Sequence, residues 1–68
     1  MATEMDMREA VRIAREMAEE AGYTDSTTSD VHYDEDDGVY EVELENDDTV
    51  IKVTIDDESG KVIEFTTD

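Results

Sequence analysis

The side chains of this sequence that are able to do chemistry are almost all carboxylates. The chain has 22 Asp plus Glu, one histidine and no cysteine. Acidic loops bind calcium in EF-hands, whose loop reads Asp-x-Asp/Asn-x-Asp/Asn-Gly with Glu at the twelfth position. Placing Gly38 sixth puts Tyr33 first, and placing Gly60 sixth puts Ile55 first, so both registers fail. The remaining interpretations are turn capping by Asp and, as an alternative, weak cation binding at 34–37 or 56–58.

No combination of residues indicates catalysis. His32 is the only imidazole, and zinc ligation or general-base chemistry would require partners that the composition does not supply. The serines that could act as nucleophiles stand in polar, turn-like stretches without a neighbouring base: Ser26, Ser29 and Ser59. We therefore predict a protein that is not an enzyme and has no catalytic residue, no metal and no cofactor.

The length and charge of the chain exclude several classes of protein. It has 68 residues and a net charge of −17, which predicts one small domain over 1–68. Direct binding of nucleic acid needs a basic surface, and this chain repels phosphate. No apolar run reaches the ~18 residues of a spanning helix, and the acidic N-terminus does not resemble a secretory signal. We expect a cytoplasmic protein that has no contact with a membrane.

The first third of the chain has the period of an amphipathic helix, over about residues 3–22. Apolar residues recur at helical spacing and form one stripe, consisting of Met7, Ala10, Val11, Ala14, Met17, Ala18 and Ala21. Ile13 widens the stripe, and charged residues occupy the opposite side. Gly22 suits the left-handed position that follows a helix end.

After a polar connection at 23–30, the apolar period changes from helical to the alternation of β-strands, over about 31–67. Four short alternating runs are separated by turns rich in Asp, Asn and Gly. Short turns join antiparallel neighbours, and the helix stripe needs a partner surface. The sequence therefore predicts an α+β fold, in which one N-terminal helix packs on a four-stranded antiparallel meander. The residues predicted to face the helix are Tyr40, Val42, Leu44, Ile51, Val53, Ile55, Ile63 and Phe65.

The opposite face of the predicted sheet is the candidate interaction surface. By strand alternation it holds three valines, one lysine and three glutamates: Val39, Glu41, Glu43, Val50, Lys52, Val62 and Glu64. Scattered exposed valines are ordinary, and a cluster of three is the alternative that would form a small contact patch.

The acidic residues are concentrated in the predicted sheet. Residues 23–68 hold sixteen acidic residues and two lysines, net −14. Such composition is typical of proteins adapted to molar salt, where the Debye length falls to ~3 Å and repulsion is screened. A solubility-enhancing surface and an anionic surface shaped for a basic partner are both consistent with this charge.

Three segments resemble the PepSY domain family. These are Gly38 to Glu43, Val50 to Ile55, and the run from Asp56 through Gly60-Lys61-Val62 to Ile63. The family has a helix, a Tyr-x-Val-like strand, and a later strand that ends in Asp before a short turn to Gly-Lys-Val. The resemblance implies an α+β fold and a non-catalytic interaction or inhibitory module, because PepSY domains occur in propeptides of secreted metallopeptidases and beside membrane segments. The composition makes this chain a small, cytoplasmic, strongly acidic, halophile-type member. No catalytic residues carry over.

These observations predict a small protein-binding or regulatory module adapted to high salt, with peptidase inhibition as one form of that role. Its partner would be a peptidase or a basic protein, and the chain itself would be a monomer or a weak homodimer. Two alternatives remain: an acidic nucleic-acid mimic that occupies a basic DNA-binding protein, and an orphan or engineered fold without a specific ligand.

Overall fold

Five segments of regular structure follow one another in the computed structural model, which describes residues 5–68. The elements in chain order are helix α1 (Met7–Glu20) and strands β1 (Thr27–Asp34), β2 (Val39–Asn46), β3 (Thr49–Asp56) and β4 (Val62–Thr67). Each strand pairs antiparallel with the next, so the sheet order is β1-β2-β3-β4. This arrangement confirms the predicted α+β fold of one helix and a four-stranded meander.

Hydrogen bonds at its two ends set the length of α1. The Asp6 carboxylate accepts a bond of 2.9 Å from the amide of Glu9, so Asp6 is the N-cap and the helix begins at Met7. The predicted start at residue 3 lies outside the described residues. At the other end, Gly22 has a φ of 99°, and the amide of Tyr23 bonds back to the carbonyl of Ala18. The helix therefore ends at Glu20, earlier than predicted, with Gly22 in the left-handed position expected of it.

Strand β1 begins four residues before the predicted boundary at residue 31. Thr27 pairs with Glu45 and Thr28 with Leu44, and the register then shifts so that Ser29 is an extra residue. Backbone groups make these pairs, so the polar side chains of residues 27–30 do not prevent pairing at the edge of a sheet. The connection between α1 and β1 is correspondingly short.

The core lies between α1 and the two central strands. Its fully buried large side chains are Val42, Leu44, Ile51, Val53 and Ile55. The helix contributes Ala10, Ala14 and Ala18, all without exposed surface. Because alanine is small, the helix backbone lies close to the sheet, and the larger side chains of the core come from the strands.

A bulge between β3 and β4 overturns one part of the predicted core. Ile55 pairs with Val62 but Thr54 pairs with Glu64, so Ile63 is the extra residue. The inserted residue reverses the alternation on one side of the bulge. Val62 therefore packs against the core, whereas Ile63, predicted to face the helix, is 59% exposed.

Candidate interaction surface

The side of the sheet turned away from α1 is here called the outer face. It consists of the exposed or half-buried side chains that alternate with the core residues: Asp30, His32, Glu41, Glu43, Lys52, Thr54 and Glu64. The strand register places Glu41 between His32 and Thr54, and Glu43 between Asp30 and Lys52. The face has a shallow depression of about 260 Å³ lined by residues of β1, β2 and β3.

The structure brings together four of the seven residues predicted for this surface, namely Glu41, Glu43, Lys52 and Glu64. The three valines do not join them as a patch. Val62 packs against the core on the helix side, and Val39 is only 6% exposed. Val50 is half-buried near the sheet end, opposite Glu45. The bulge explains the position of Val62, and the outer face is therefore polar and acidic rather than apolar.

The carboxylates of the outer face are not neutralised by ion pairs within the described residues. Within residues 5–68 the ion pairs both involve Arg12, with Glu9 and with Glu16 on the helix. Lys52 is the one lysine or arginine among the outer-face residues. Adjacent strands place side chains about 5 Å apart, so the carboxylates of this face act on a partner as one negative surface.

A second acidic region lies where the β1–β2 and β3–β4 turns meet. The amide of Asp57 donates 3.1 Å to the carbonyl of Gly38, which joins the two turns. The Tyr33 hydroxyl donates 2.6 Å to Oδ2 of Asp57, and this contact with a carboxylate raises the pKa of Tyr33 to about 12. The rings of Tyr33 and Tyr40 pack against each other at an angle of 46°, with their centroids 4.7 Å apart. This contact is not predictable from local sequence patterns, because it joins residues far apart in the chain.

Turn capping uses several of the carboxylates considered for cation binding. Oδ2 of Asp56 accepts from both the amide and the hydroxyl of Ser59, at 2.8 Å each, and these bonds lower the pKa of Asp56. Oδ1 of Asp34 accepts from the amides of Asp36 and Asp37. In the part of the chain that the structure describes, no three His, Asp or Glu side chains are grouped so as to hold a metal ion.

A groove between α1 and β1 is a feature that the sequence interpretation missed. Met7, Val11 and Val31 line it, and Arg8 stands beside them. Met7 is 48% exposed although it belongs to the predicted apolar stripe. Met7 is exposed because it lies in the first turn of α1, near the edge strand. Strand alternation and helix period do not specify where the helix lies on the sheet, so the sequence did not predict this exposure.

Comparison with known proteins gives one match. Neither the curated proteins nor the solved structures include a significant match to the chain. No helix within residues 5–68 has the length and apolar character needed to cross a membrane. Residues 6–66 match PepSY, described as the peptidase propeptide and YPEB domain. Since the match runs from the N-cap of α1 into β4, the chain belongs to the PepSY family.

Proposed function

We propose that this chain is a non-enzymatic PepSY module that binds and regulates another protein through the outer face of its sheet. Peptidase inhibition is the first form of that activity to consider, because the family description names peptidase propeptides. The observation that carries the proposal is the set of unneutralised carboxylates on an exposed, shallow surface, with Glu41 and Glu43 at its centre.

The geometry of this surface favours binding over catalysis. Glu41 is exposed and Glu43 half-buried, so water solvates both, whereas a general acid or base usually has a desolvated or closely paired carboxyl. A flat anionic surface attracts a cationic partner, accelerates encounter and rejects acidic competitors. Lys52 lies next to Glu43 in the register, which gives the charge pattern an orientation that a uniformly acidic face would lack.

The proposal includes adaptation to high salt and a salt-rich cytoplasm as the working compartment. The support is the net charge of −17 on 68 residues. At ~1 M salt the Debye length is ~3 Å, so repulsion across the protein is screened while charges in direct contact with a partner still interact. A partner of such a protein must therefore approach closely, and a shallow face permits that approach.

The test is affinity capture at 2 M KCl from a lysate of a halophile, followed by peptidase assays on the captured protein. The Glu41→Lys/Glu43→Lys variant reverses the charge of the outer face. The matched control, Glu20→Lys/Glu58→Lys, changes the net charge equally at two exposed positions away from that face. We expect the wild type and the control to capture and inhibit a peptidase, and the outer-face variant to lose at least tenfold in capture.

Two results would contradict the proposal. Equal capture by both variants would show that the binding surface lies elsewhere on the molecule. Capture of a basic DNA-binding protein, released by added duplex DNA, would show that the chain is instead a nucleic-acid mimic. Circular dichroism of each variant at 2 M KCl establishes that loss of binding does not reflect loss of the fold.

A further inference from the structure

The groove between α1 and β1 is apolar, open and located at an edge of the sheet. It is a shallow depression of about 330 Å³, largely open to solvent, lined by Met7, Val11 and Val31, with Arg8 at its side. Val31 belongs to β1 and points toward the helix, since it pairs with the core residue Val42. An apolar side chain from another molecule would fill this groove without displacing any part of the described chain.

Strand β1 leaves one side of its backbone without a strand partner. It is the first strand in the order β1-β2-β3-β4 and pairs with β2 alone within the described residues. An extended peptide can add to such an edge by main-chain hydrogen bonds, about 4.8 Å from β1. Alternate side chains of an added strand would then lie on the helix side, next to Val31 and below Met7 and Val11.

The groove lies beside most of the cationic residues of the chain. Three of the five cationic residues are arginines on α1: Arg8, Arg12 and Arg15. Together with Val11 they line a second depression, which continues from the groove along the helix. Glu16 and Glu19 also line this depression. Arg12 pairs with Glu9 and Glu16, whereas Arg8 and Arg15 have no ion pair within residues 5–68.

We propose that this groove binds an extended segment of a partner protein, which adds to the edge of β1 with an apolar side chain in the groove and a carboxylate against Arg8 or Arg15. The proposal rests on the proposed function in that the chain binds proteins and works at high salt, and it uses a different surface. Long-range repulsion of an acidic segment by the net charge of −17 is screened in salt, whereas the contact with arginine is short-range. At high salt, a carboxylate of the partner therefore contributes to binding only where it lies in direct contact with an arginine beside this groove.

The test uses a defined probe, the acetylated and amidated peptide Thr-Glu-Thr-Leu-Thr-Glu-Thr, whose alternate residues present Glu, Leu and Glu to the helix side. The matched control peptide has Lys in place of both Glu. Each is titrated into the isotopically labelled full chain at 0.5 M KCl while amide chemical shifts are followed. We expect the Glu peptide to shift amides of 28–34 in β1 and 7–15 in α1, and to bind at least fivefold more tightly than the Lys peptide.

Two variants assign the contact. Arg8→Glu/Arg15→Glu should weaken the Glu peptide at least fivefold, and Met7→Ser should weaken both peptides. Lys61→Glu, which changes an exposed cation in the β3–β4 turn, should leave the affinity within twofold. A second peptide with Ser in place of Leu should lose the shifts around Val31.

The proposal is overturned if the Lys peptide binds as tightly as the Glu peptide, or if the shifts fall on β4 or the outer face. It is also overturned if dilution of the protein alone shifts the β1 amides, because a second copy of the chain would then occupy this edge. If the peptide does not bind as expected, the outer-face proposal is unaffected, because that proposal is tested with the variant at Glu41 and Glu43. Loss of the outer-face interaction would likewise leave these shifts unchanged.

Discussion

The helix and the sheet of this protein differ in both charge and packing. Helix α1 carries three arginines and four glutamates, and Arg12 holds two of those glutamates in ion pairs. Residues 23–68 carry sixteen acidic residues and two lysines. In the turns, backbone amides and hydroxyls take the place of cations, as at Asp34 and Asp56. The helix thus balances its charge internally, whereas the sheet depends on hydrogen bonds and on the solvent.

The helix and the sheet also differ in the size of the side chains that they bury. The fully buried residues of α1 are alanines, and the large buried side chains come from β2 and β3. Apolar area, and with it most of the hydrophobic stabilisation, therefore comes from the region with the greater electrostatic repulsion. This difference predicts that truncating the sheet core and changing the salt have large effects, and that equivalent changes on the helix have small ones.

The largest expected effect is the loss of a core side chain from β2. Leu44→Ala removes a fully buried leucine and should lower the free energy of unfolding by about 2–5 kcal/mol. Ile63→Ala, in the bulge, and Met7→Ala, on the helix, should each cost less than about 0.5 kcal/mol because about half or more of each residue's surface is exposed. Urea titrations at 2 M KCl measure all three. A cost for Ile63→Ala comparable to that of Leu44→Ala would show that β4 pairs without the bulge.

The next effect is the dependence of stability on salt. Folding brings the carboxylates of residues 23–68 closer together, so screening stabilises the folded state more than the unfolded one. We expect the Tm to rise by about 4–8 °C or more between 0.1 M and 2 M KCl, which corresponds to about 1 kcal/mol for a domain of this size. Thermal melts followed by circular dichroism provide the measurement.

A pair of variants sharpens this prediction. Glu41→Lys/Glu43→Lys on the sheet should reduce the salt dependence more than Glu19→Lys/Glu20→Lys on the helix, although both change the net charge equally. Equal reductions would mean that only the total charge matters and that the helix and sheet do not differ. A Tm that stays constant in wild type as KCl is added would remove the support for salt adaptation.

The smallest effect concerns Tyr33 and appears only at alkaline pH. Its contact with Asp57 raises the pKa of Tyr33 to about 12 in the folded protein, above the value of about 10 for an unfolded tyrosine. Between these two values the unfolded state releases a proton that the folded state keeps, so stability falls as the pH rises from about 10 to about 12. Tyr33→Phe should remove this part of the pH dependence.

Ultraviolet titration of the folded protein measures the ionisation of Tyr33 directly. The phenol that titrates near pH 12 in wild type should be missing from Tyr33→Phe and should move toward pH 10 in Asp57→Asn, where the carboxylate is absent. Retention of the high-pH phenol in Asp57→Asn would show that burial rather than the contact with Asp57 sets the pKa.

The sequence predicted the elements because side-chain periodicity follows the backbone. Alternation identified Leu44, Ile51 and Ile55 as core residues, and the turns rich in Asp, Asn and Gly separated the strands. It also placed Glu41 and Glu43 together on one face, because they are two residues apart in one strand. These features depend on local sequence alone.

The parts that the sequence did not predict depend on backbone pairing and on long-range contacts. The bulge residues Ser29 and Ile63 carry no residue-type signal, because a bulge is a property of two paired strands. The bond from Tyr33 to Asp57 requires two turns to meet. The groove at Met7 and Val31 requires the position of the helix on the sheet, which the helical period does not give.

The alanines at positions 10, 14 and 18 have a consequence for the dynamics of the chain. They bury little apolar area each, so their contact with the sheet contributes little hydrophobic stabilisation per residue although it is close. Local opening has the lowest free energy where the least apolar surface is uncovered. We therefore expect the helix to open more readily than the central strands, so that its amides exchange with solvent deuterium before those of β2 and β3.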